Sequence, residues 1–280
     1  MKYNRLMKIS AIALTLVALV ACTPKTLAQT TSVGQTGPAV VENVISVASY
    51  NMLRLGANKK DYVTLAAVIK NFDVVGAIEV MKEDGMKAVM PNLPGWSYAI
   101  SEHSVGTKIY KEFYGFFYND RIELVKLLGF YPGEGFMRAP YGAQFKVKDS
   151  DFTFNLIIAH IVFGDSAKDR IAEINNLGKV YEYFESITGN KQITMIAGDF
   201  NFENIAEFDE LIDMGSTEIS PVKKSTLGEK GPVSDYDHMF VSNNLKQYIV
   251  ESDVLYWTDD WQGTRKTVSD HFPVYVKLKF

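Results

Sequence analysis

Short apolar runs separated by polar turns recur along most of the chain, and their spacing predicts more strands than helices. Strands are predicted at residues 44–50, 73–80, 113–118, 122–131, 144–148, 152–159, 192–197, 237–242, 248–256 and 272–279. Apolar positions at helical spacing predict a helix capped by Asp61 and helices at residues 166–187 and 205–214. Helices inserted between strands are typical of two sheets packed face to face. We therefore expect an α/β fold, a four-layer α/β/β/α sandwich of two packed mixed β-sheets flanked by helices.

The first 22 residues have the pattern of an export signal. Three basic residues precede an apolar run, residues 9–20, which is too short to span a bilayer. The run leads through small residues to Cys22, as in bacterial lipoprotein signals whose cysteine is lipidated after cleavage. An ordinary secretory signal and a short retained anchor are the alternatives. We expect residues 1–22 to be a lipoprotein signal peptide, with lipidated Cys22 holding the protein on a membrane of the cell envelope.

The rest of the chain reads as one linker and one domain. Residues 23–41 are rich in Thr, Gly and Ser and predict a flexible linker. Residues 42–280 are long enough for one large α/β domain, and they show no fixed repeat and no second core. The chain has one cysteine, so an internal disulfide is excluded. We expect a monomer.

The net negative charge of the chain makes some classes of function less favoured than others. The chain has 29 Lys plus Arg against 33 Asp plus Glu, a net charge of −4, and loss of the basic signal would make it more acidic. Proteins that scan nucleic acid usually carry a basic face, so this composition argues against that class. A nuclease function is still compatible with this composition, because a bound divalent cation can screen the phosphates locally.

Polar clusters at the ends of predicted strands carry the chemical signal. Asp199 and Asn201 follow one apolar run, and Asp270 and His271 precede another. Carboxylates can hold a divalent metal, imidazoles can move protons and amides can orient a phosphate oxygen, which is the chemistry of phosphoester hydrolysis. Further polar residues at strand ends are Asn51, Glu79, Glu112, His160, Asp237 and His238. Each alone is more often structural, but strand ends on one sheet edge converge, so several together can form one site.

Six short segments in this order resemble the endonuclease/exonuclease/phosphatase superfamily, and within it the deoxyribonuclease I branch. They are Tyr50-Asn51, Ile78-Glu79, Ala159-His160, Gly198-Asp199-Phe200-Asn201, Tyr236-Asp237-His238 and Ser269-Asp270-His271. The segments around Tyr110 and Glu112 and around Arg138 resemble that branch's stretches with a supporting glutamate and a phosphate-contacting arginine. The resemblance covers nearly all of residues 42–280.

The resemblance implies a role for each matching residue. The implied metal ligands are Glu79, Asn51 and Asp270. The implied catalytic residues are the acid/base pair His160 and His271, their orienting carboxylates Glu112 and Asp237, and Asp199. The implied substrate-binding residues are Asn201, Arg138, Tyr110 and Asn51. Because the metal donors are all oxygen, Mg²⁺ is expected, with Mn²⁺ and Ca²⁺ as alternatives.

The function implied is that of a divalent-metal-dependent phosphodiester hydrolase, a deoxyribonuclease I-like endonuclease that leaves 5′-phosphate ends. Its substrate would be nucleic acid, DNA in preference to RNA. Two alternatives stay open: hydrolysis of phospholipid headgroups or other small phosphoesters, and a non-catalytic surface module. The chain departs from the branch at two positions. The branch has an arginine at each of them, whereas this chain has Met81 at one and His238 at the other.

Overall fold

The computed structural model describes residues 43–189, 193–203, 208–219 and 223–280. The predicted signal peptide, Cys22 and the linker at residues 23–41 lie outside the described residues. The described residues belong to one compact unit, Glu42–Phe280. Within them, no helix is both long and apolar enough to cross a membrane.

Strands dominate the described residues. The strands are β1 (Val44–Leu55), β2 (Val74–Val80), β3 (Trp96–Ile100), β4 (Val105–Gly106), β5 (Lys111–Asn119), β6 (Ile122–Phe130), β7 (Tyr141–Val147), β8 (Thr153–His160), β9 (Ile193–Asp199), β10 (Ser216–Glu218), β11 (Leu227–Gly228), β12 (Gly231–Pro232), β13 (Asp237–Ser242), β14 (Ile249–Val254) and β15 (Val274–Lys279). The α-helices are α1 (Tyr62–Ile69), α2 (Glu83–Val89), α3 (Ala167–Ile174), α4 (Leu177–Thr188), α5 (Asp209–Asp213) and α6 (Trp261–Thr267). Short 3₁₀ helices span Met90–Asn92 and Lys246–Tyr248.

Two mixed sheets form the framework. One has the order β14-β15-β1-β2-β5-β3, with β4 attached to β5, and the other has the order β10-β13-β9-β8-β7-β6. The pairs β1–β2 and β8–β9 are parallel, whereas the other pairs are antiparallel. Strands β11 and β12 form a separate small hairpin.

The side chains of β1 show how the layers form. Ile45 and Val47 point into the core between the two sheets, whereas Ala48, Tyr50 and Met52 pack on the outer face with α1 and α2. The outer face of the second sheet is covered by α3, α4 and α5. The expected four-layer α/β/β/α sandwich is therefore confirmed.

The prediction of one continuous helix at residues 166–187 is wrong. The pattern at residues 166–187 forms two helices, α3 and α4, which meet at Asn175 and Asn176. The Asn176 side chain donates to the carbonyl oxygen of Ala172 at 2.9 Å and accepts from Lys179 at 3.0 Å. An asparagine that bonds nearby backbone competes with the helical ladder, and this accounts for the break.

Candidate active site

A cleft of about 410 Å³ opens where several strands end at the same edge of the sandwich. It is lined by Leu53, Arg54, Glu79, Tyr110, Arg138, His160, Phe163, Asp199, Asn201, Asp270 and His271. The other three residues proposed from the sequence, Asn51, Glu112 and Asp237, lie behind this lining and bond to it. All eleven residues to which the resemblance gave a role therefore meet in one assembly, whereas His238 does not belong to it.

Strand pairing places three of these residues side by side. His160 ends β8 opposite Asp199, which ends the parallel strand β9, and Asp199 also pairs with Asp237 at the start of β13. The glycine before Asp199 is required by this pairing. A Cβ atom on Gly198 would lie 1.8 Å from the carbonyl oxygen of Ala159, so only glycine lets β8 and β9 approach.

Two histidine–carboxylate pairs face a single aspartate. The Nδ1 atom of His160 lies 2.8 Å from Glu112 Oε1, and that of His271 lies 2.7 Å from Asp237 Oδ2. The Nε2 atoms lie 3.7 Å and 3.6 Å from Asp199 Oδ2. Because each carboxylate accepts a hydrogen bond from Nδ1–H, each Nε2 is left to face the cleft.

Burial and charge shift the acidity of this group. Burial acts to lower the pKa of His271, but the carboxylates of Asp237 and Asp199 outweigh it and raise the pKa to about 10. The same balance raises the pKa of His160, where burial is opposed chiefly by Glu112. Burial also raises the pKa of Asp199, against the pull of the nearby His271. The acidity of all three side chains is therefore shifted by the same buried cluster of charges.

Glu79 is held as an anion at the cleft wall. Its Oε1 accepts from the Asn51 amide at 3.2 Å, and its Oε2 accepts from the backbone N–H of Arg54 at 3.0 Å. Burial acts to raise the pKa of Glu79, but His160, the Asn51 amide and Tyr110 outweigh it and keep the pKa below its usual range. The Asn51 amide also donates to Asp199 Oδ2 at 3.0 Å.

The donor set at this wall fits a magnesium-like cation. Glu79 and Asp270 line the same cleft, and Asn51 bonds to Glu79. In the part of the chain that the structure describes, no three His, Cys, Asp or Glu side chains cluster closely enough to hold a metal by themselves. Mg²⁺ commonly uses only one or two carboxylates and keeps several waters, so two carboxylates and an amide suffice.

Arg138 and Asn201 line the cleft but also support its floor. The Arg138 guanidinium donates to the carbonyl oxygens of His160 and Ile161 at 3.0 Å and 2.9 Å. The Asn201 amide donates to the carbonyl oxygen of Ile161 at 2.8 Å. These bonds fix the segment that carries His160. This support comes in addition to the contacts with substrate that the resemblance implies for Arg138 and Asn201.

Several contributors escaped the sequence analysis. The Arg54 guanidinium stacks on Tyr110 at 5.3 Å, and Phe163 is 59% exposed within the cleft. Ser225 donates to Asp237 Oδ2 at 2.6 Å, and the buried Lys60 ammonium donates to the carbonyl oxygen of Val268 at 2.6 Å. Arg54 and Phe163 each lie three residues after a segment of the resemblance, at Asn51 and His160, whereas Lys60 and Ser225 lie near none of these segments.

Backbone strain is concentrated at the cleft. Among the described residues other than glycine, five have positive φ angles, and four of them, Leu53, Arg54, Glu79 and Asn201, line the cleft. Such conformations cost free energy and persist where the surrounding structure enforces them, typically at functional sites. This distribution marks the same edge of the sandwich independently of the side chains.

His238 lies outside the cleft. Its Nδ1 bonds to Glu218 Oε1 at 2.8 Å, its Nε2 bonds to the carbonyl oxygen of Phe202 at 2.7 Å, and its ring packs against Phe200 and Phe208. Both partners are acceptors, so both ring nitrogens must carry protons. His238 is therefore a buried imidazolium that joins β10 to β13.

Comparison with known proteins agrees with this fold. A deoxyribonuclease from Thioalkalivibrio sp. (strain K90mix) is 28% identical over 265 residues, covering 83% of this chain and 70% of that protein. An endonuclease/exonuclease/phosphatase family protein from Bacteroides thetaiotaomicron superposes with a TM-score of 0.63 at 20% identity, covering 84% of this chain and 97% of that one. The mannosyl-6-phosphatase Bt3783 of the same organism gives 0.63 at 21% identity, covering 84% and 100%. No protein-family model matches the sequence.

The fold is thus that of the endonuclease/exonuclease/phosphatase superfamily, and the resemblance inferred from the short segments is confirmed. Enzymes of this superfamily are hydrolases, and the compared proteins include both a nuclease and a phosphatase. The chain therefore shares its fold with proteins that include a phosphatase.

Proposed function

We propose that the chain is a divalent-metal-dependent phosphodiester hydrolase, a deoxyribonuclease I-like endonuclease that cuts DNA to 5′-phosphate ends. One observation carries the proposal: two imidazoles, each bonded to a buried carboxylate, direct their Nε2 atoms at Asp199 in one cleft. The deoxyribonuclease relative supports DNA as the substrate.

The chain's own residues supply both proton transfers. Hydrolysis of a phosphodiester needs a proton removed from water, a proton given to the leaving oxygen and compensation of charge on the phosphate. His160 and His271 would perform the two transfers through Nε2, with Glu112 and Asp237 fixing their tautomers. Asp199 lies within 3.7 Å of both Nε2 atoms, where it can orient the attacking water.

A divalent cation would be held by Glu79, Asn51 and Asp270. When bound there, it would compensate the negative charge that develops on the phosphate oxygens. Oxygen donors favour Mg²⁺, with Mn²⁺ and Ca²⁺ as alternatives. Tyr110, Arg138 and Asn201 would contact the substrate backbone, since all three line the cleft.

We also propose that the enzyme acts as a monomer held at the cell envelope through lipidated Cys22. The lipoprotein pattern that ends at Cys22 supports this location. Cys22→Ala should move the protein from the membrane fraction to the soluble fraction of the cell envelope. An unchanged distribution would count against a lipid anchor.

The decisive experiment incubates the purified protein with supercoiled plasmid DNA and Mg²⁺. Nicked and linear products with 5′-phosphate ends are expected, and His160→Ala or His271→Ala should each reduce the rate about 100-fold or more, as loss of a general acid or base does. A small phosphoester is the competing substrate, favoured by the net charge of −4. Turnover of a sugar phosphate or phospholipid without DNA cleavage would reject the nuclease proposal in favour of that substrate.

A further inference from the structure

A second cavity adjoins the cleft. It measures about 320 Å³ and is lined by Leu53, Glu229, Gln262, Arg265, Lys266 and Asp270. Two of these residues, Leu53 and Asp270, also line the cleft that holds the two imidazoles. A substrate that has a group in the cleft can therefore extend directly into this cavity.

The cavity contains cationic donors that lack partners. The Nε atom of Arg265 is buried and has no hydrogen-bond partner among the residues that the structure describes. Lys266 is exposed, and no ion pair among the described residues involves it. A buried donor without a partner destabilises the protein, and a ligand acceptor that reached it would remove that cost.

Helix α6, which carries both cations, is fixed to the rest of the site. Asp260 caps its first turn by accepting from the Gly263 N–H at 3.0 Å. At its other end, Lys60 donates to the carbonyl oxygen of Val268, and the Asp61 N–H donates to that of Thr267 at 2.7 Å. The position of Arg265 and Lys266 beside the cleft is thus set before any ligand binds.

The charge balance in the cavity favours an anion once the metal is bound. Asp270 is one of the proposed metal ligands, so a bound cation would compensate its charge. Among the residues that line the cavity, Arg265 and Lys266 are then accompanied by one uncompensated carboxylate, that of Glu229. We propose that this cavity binds a second phosphate of the substrate, next to the scissile one, and so favours nucleic-acid strands over esters with a single phosphate. The inference rests on the proposed function and names the feature of the substrate that the enzyme reads.

The test compares two substrates: an oligonucleotide of about ten residues and a nitrophenyl ester of thymidine 5′-phosphate, which has one phosphodiester. The double variant Arg265→Gln with Lys266→Gln should raise KM for the oligonucleotide about 10-fold. The slope of log KM against log salt concentration should decrease by about 0.7 for each phosphate contact that is lost. The effect on kcat/KM for the single diester should stay below about 2-fold. Glu229→Gln should act in the opposite direction and lower KM for the oligonucleotide. Lys279→Gln, which removes one positive charge from an exposed strand residue, is the matched control for Lys266→Gln and should leave both substrates unaffected.

The outcomes separate this inference from the proposed function. An unchanged KM for the oligonucleotide, or equal losses on both substrates, would overturn the phosphate subsite while leaving the nuclease proposal intact. If the parent protein hydrolyses the single diester but not the oligonucleotide, the nuclease proposal fails and the subsite fails with it. Circular dichroism of each variant shows whether it has folded. Lys266→Gln alone, an exposed position, provides the test if the Arg265 substitution prevents folding.

Discussion

At the scale of single residues, Glu112 determines the behaviour of His160. Its side chain is fully buried, one oxygen bonds to His160 Nδ1, and the other, Oε2, has no hydrogen-bond partner among the described residues. Although burial and the Arg138 guanidinium, whose Nε lies 3.9 Å from Glu112 Oε1, act to lower the pKa of His160, the carboxylate of Glu112 raises it. An amide in this place would keep the hydrogen bond and remove the charge.

Glu112→Gln should therefore change the pH dependence of the reaction as well as its rate. Without the carboxylate the pKa of His160 falls, so the limb of the kcat/KM profile that reports His160 should move to lower pH. The rate at the optimum should fall about 100-fold, because a general acid or base then works with a poorly matched pKa. The measurement is kcat/KM against pH on plasmid DNA.

Glu123→Gln is the matched control for this prediction. Glu123 lies exposed on β6 and undergoes the same chemical change away from the cleft. Its profile should coincide with that of the parent. A Glu112→Gln profile that loses rate without moving either limb would show that Glu112 supports the site only by packing.

The residues with the strongest chemical signal were accessible from the sequence, because each ends or begins a strand with a clear apolar run. His160, Asp199 and Asp270 are examples. Arg54 and Ser225 were not accessible, since their contacts depend on which loops meet in space. The support that Arg138 gives to the His160 segment is also invisible in sequence, because it consists of bonds to backbone carbonyls.

At the scale of elements, a strand or helix could be predicted from the sequence where its apolar pattern is strong. Strands such as β8 and β13 have continuous buried runs, and their predicted positions agree with the structure within one or two residues. Helix α6 was missed because it has seven residues and only Thr264 is buried, which leaves no periodic signal. The adjoining cavity depends on this helix, so it could not be foreseen either.

The ion pair that joins the edge strand β10 to β13 predicts how the stability of the fold depends on pH. Glu218 of β10 and His238 of β13 form a buried pair, in which burial opposes the charged imidazole but Glu218 outweighs it and raises the pKa of His238. A histidine with a raised folded pKa adds stability that is complete below about pH 6.5, its unfolded value, and is lost as pH rises through the folded pKa. The Glu218→Gln substitution should destabilise the fold by about 3 kcal/mol at pH 6, since it leaves a buried charge unpaired.

The same substitution should cost less as the pH rises. Above the folded pKa the imidazole is neutral, and loss of the carboxylate no longer leaves an unpaired charge. Urea unfolding of the parent and of Glu218→Gln at a series of pH values measures the difference. Glu123→Gln should show no such trend. A penalty that stays constant with pH would mean that His238 is neutral in the folded protein.

At the scale of the whole molecule, the core and the proposed metal site are separate. The core between the sheets consists of buried apolar side chains such as Tyr114, Phe116, Phe145 and Leu156, and none of the proposed metal ligands belongs to it. We therefore expect the fold to form without the cation, in contrast to small domains organised around a structural metal.

Chelation should accordingly separate activity from folding. EDTA should abolish DNA cleavage and leave the far-ultraviolet circular dichroism unchanged, and added Mg²⁺ should restore cleavage. Because a ligand that binds only the folded state stabilises it, Mg²⁺ at 100 times its Kd should add about 2.7 kcal/mol and raise Tm. Glu79→Gln should remove this rise, since Glu79 is the proposed principal ligand, whereas Glu123→Gln should retain it. Collapse of the dichroism in EDTA would assign the metal a structural role, and an unchanged rise in Tm for Glu79→Gln would place the cation elsewhere.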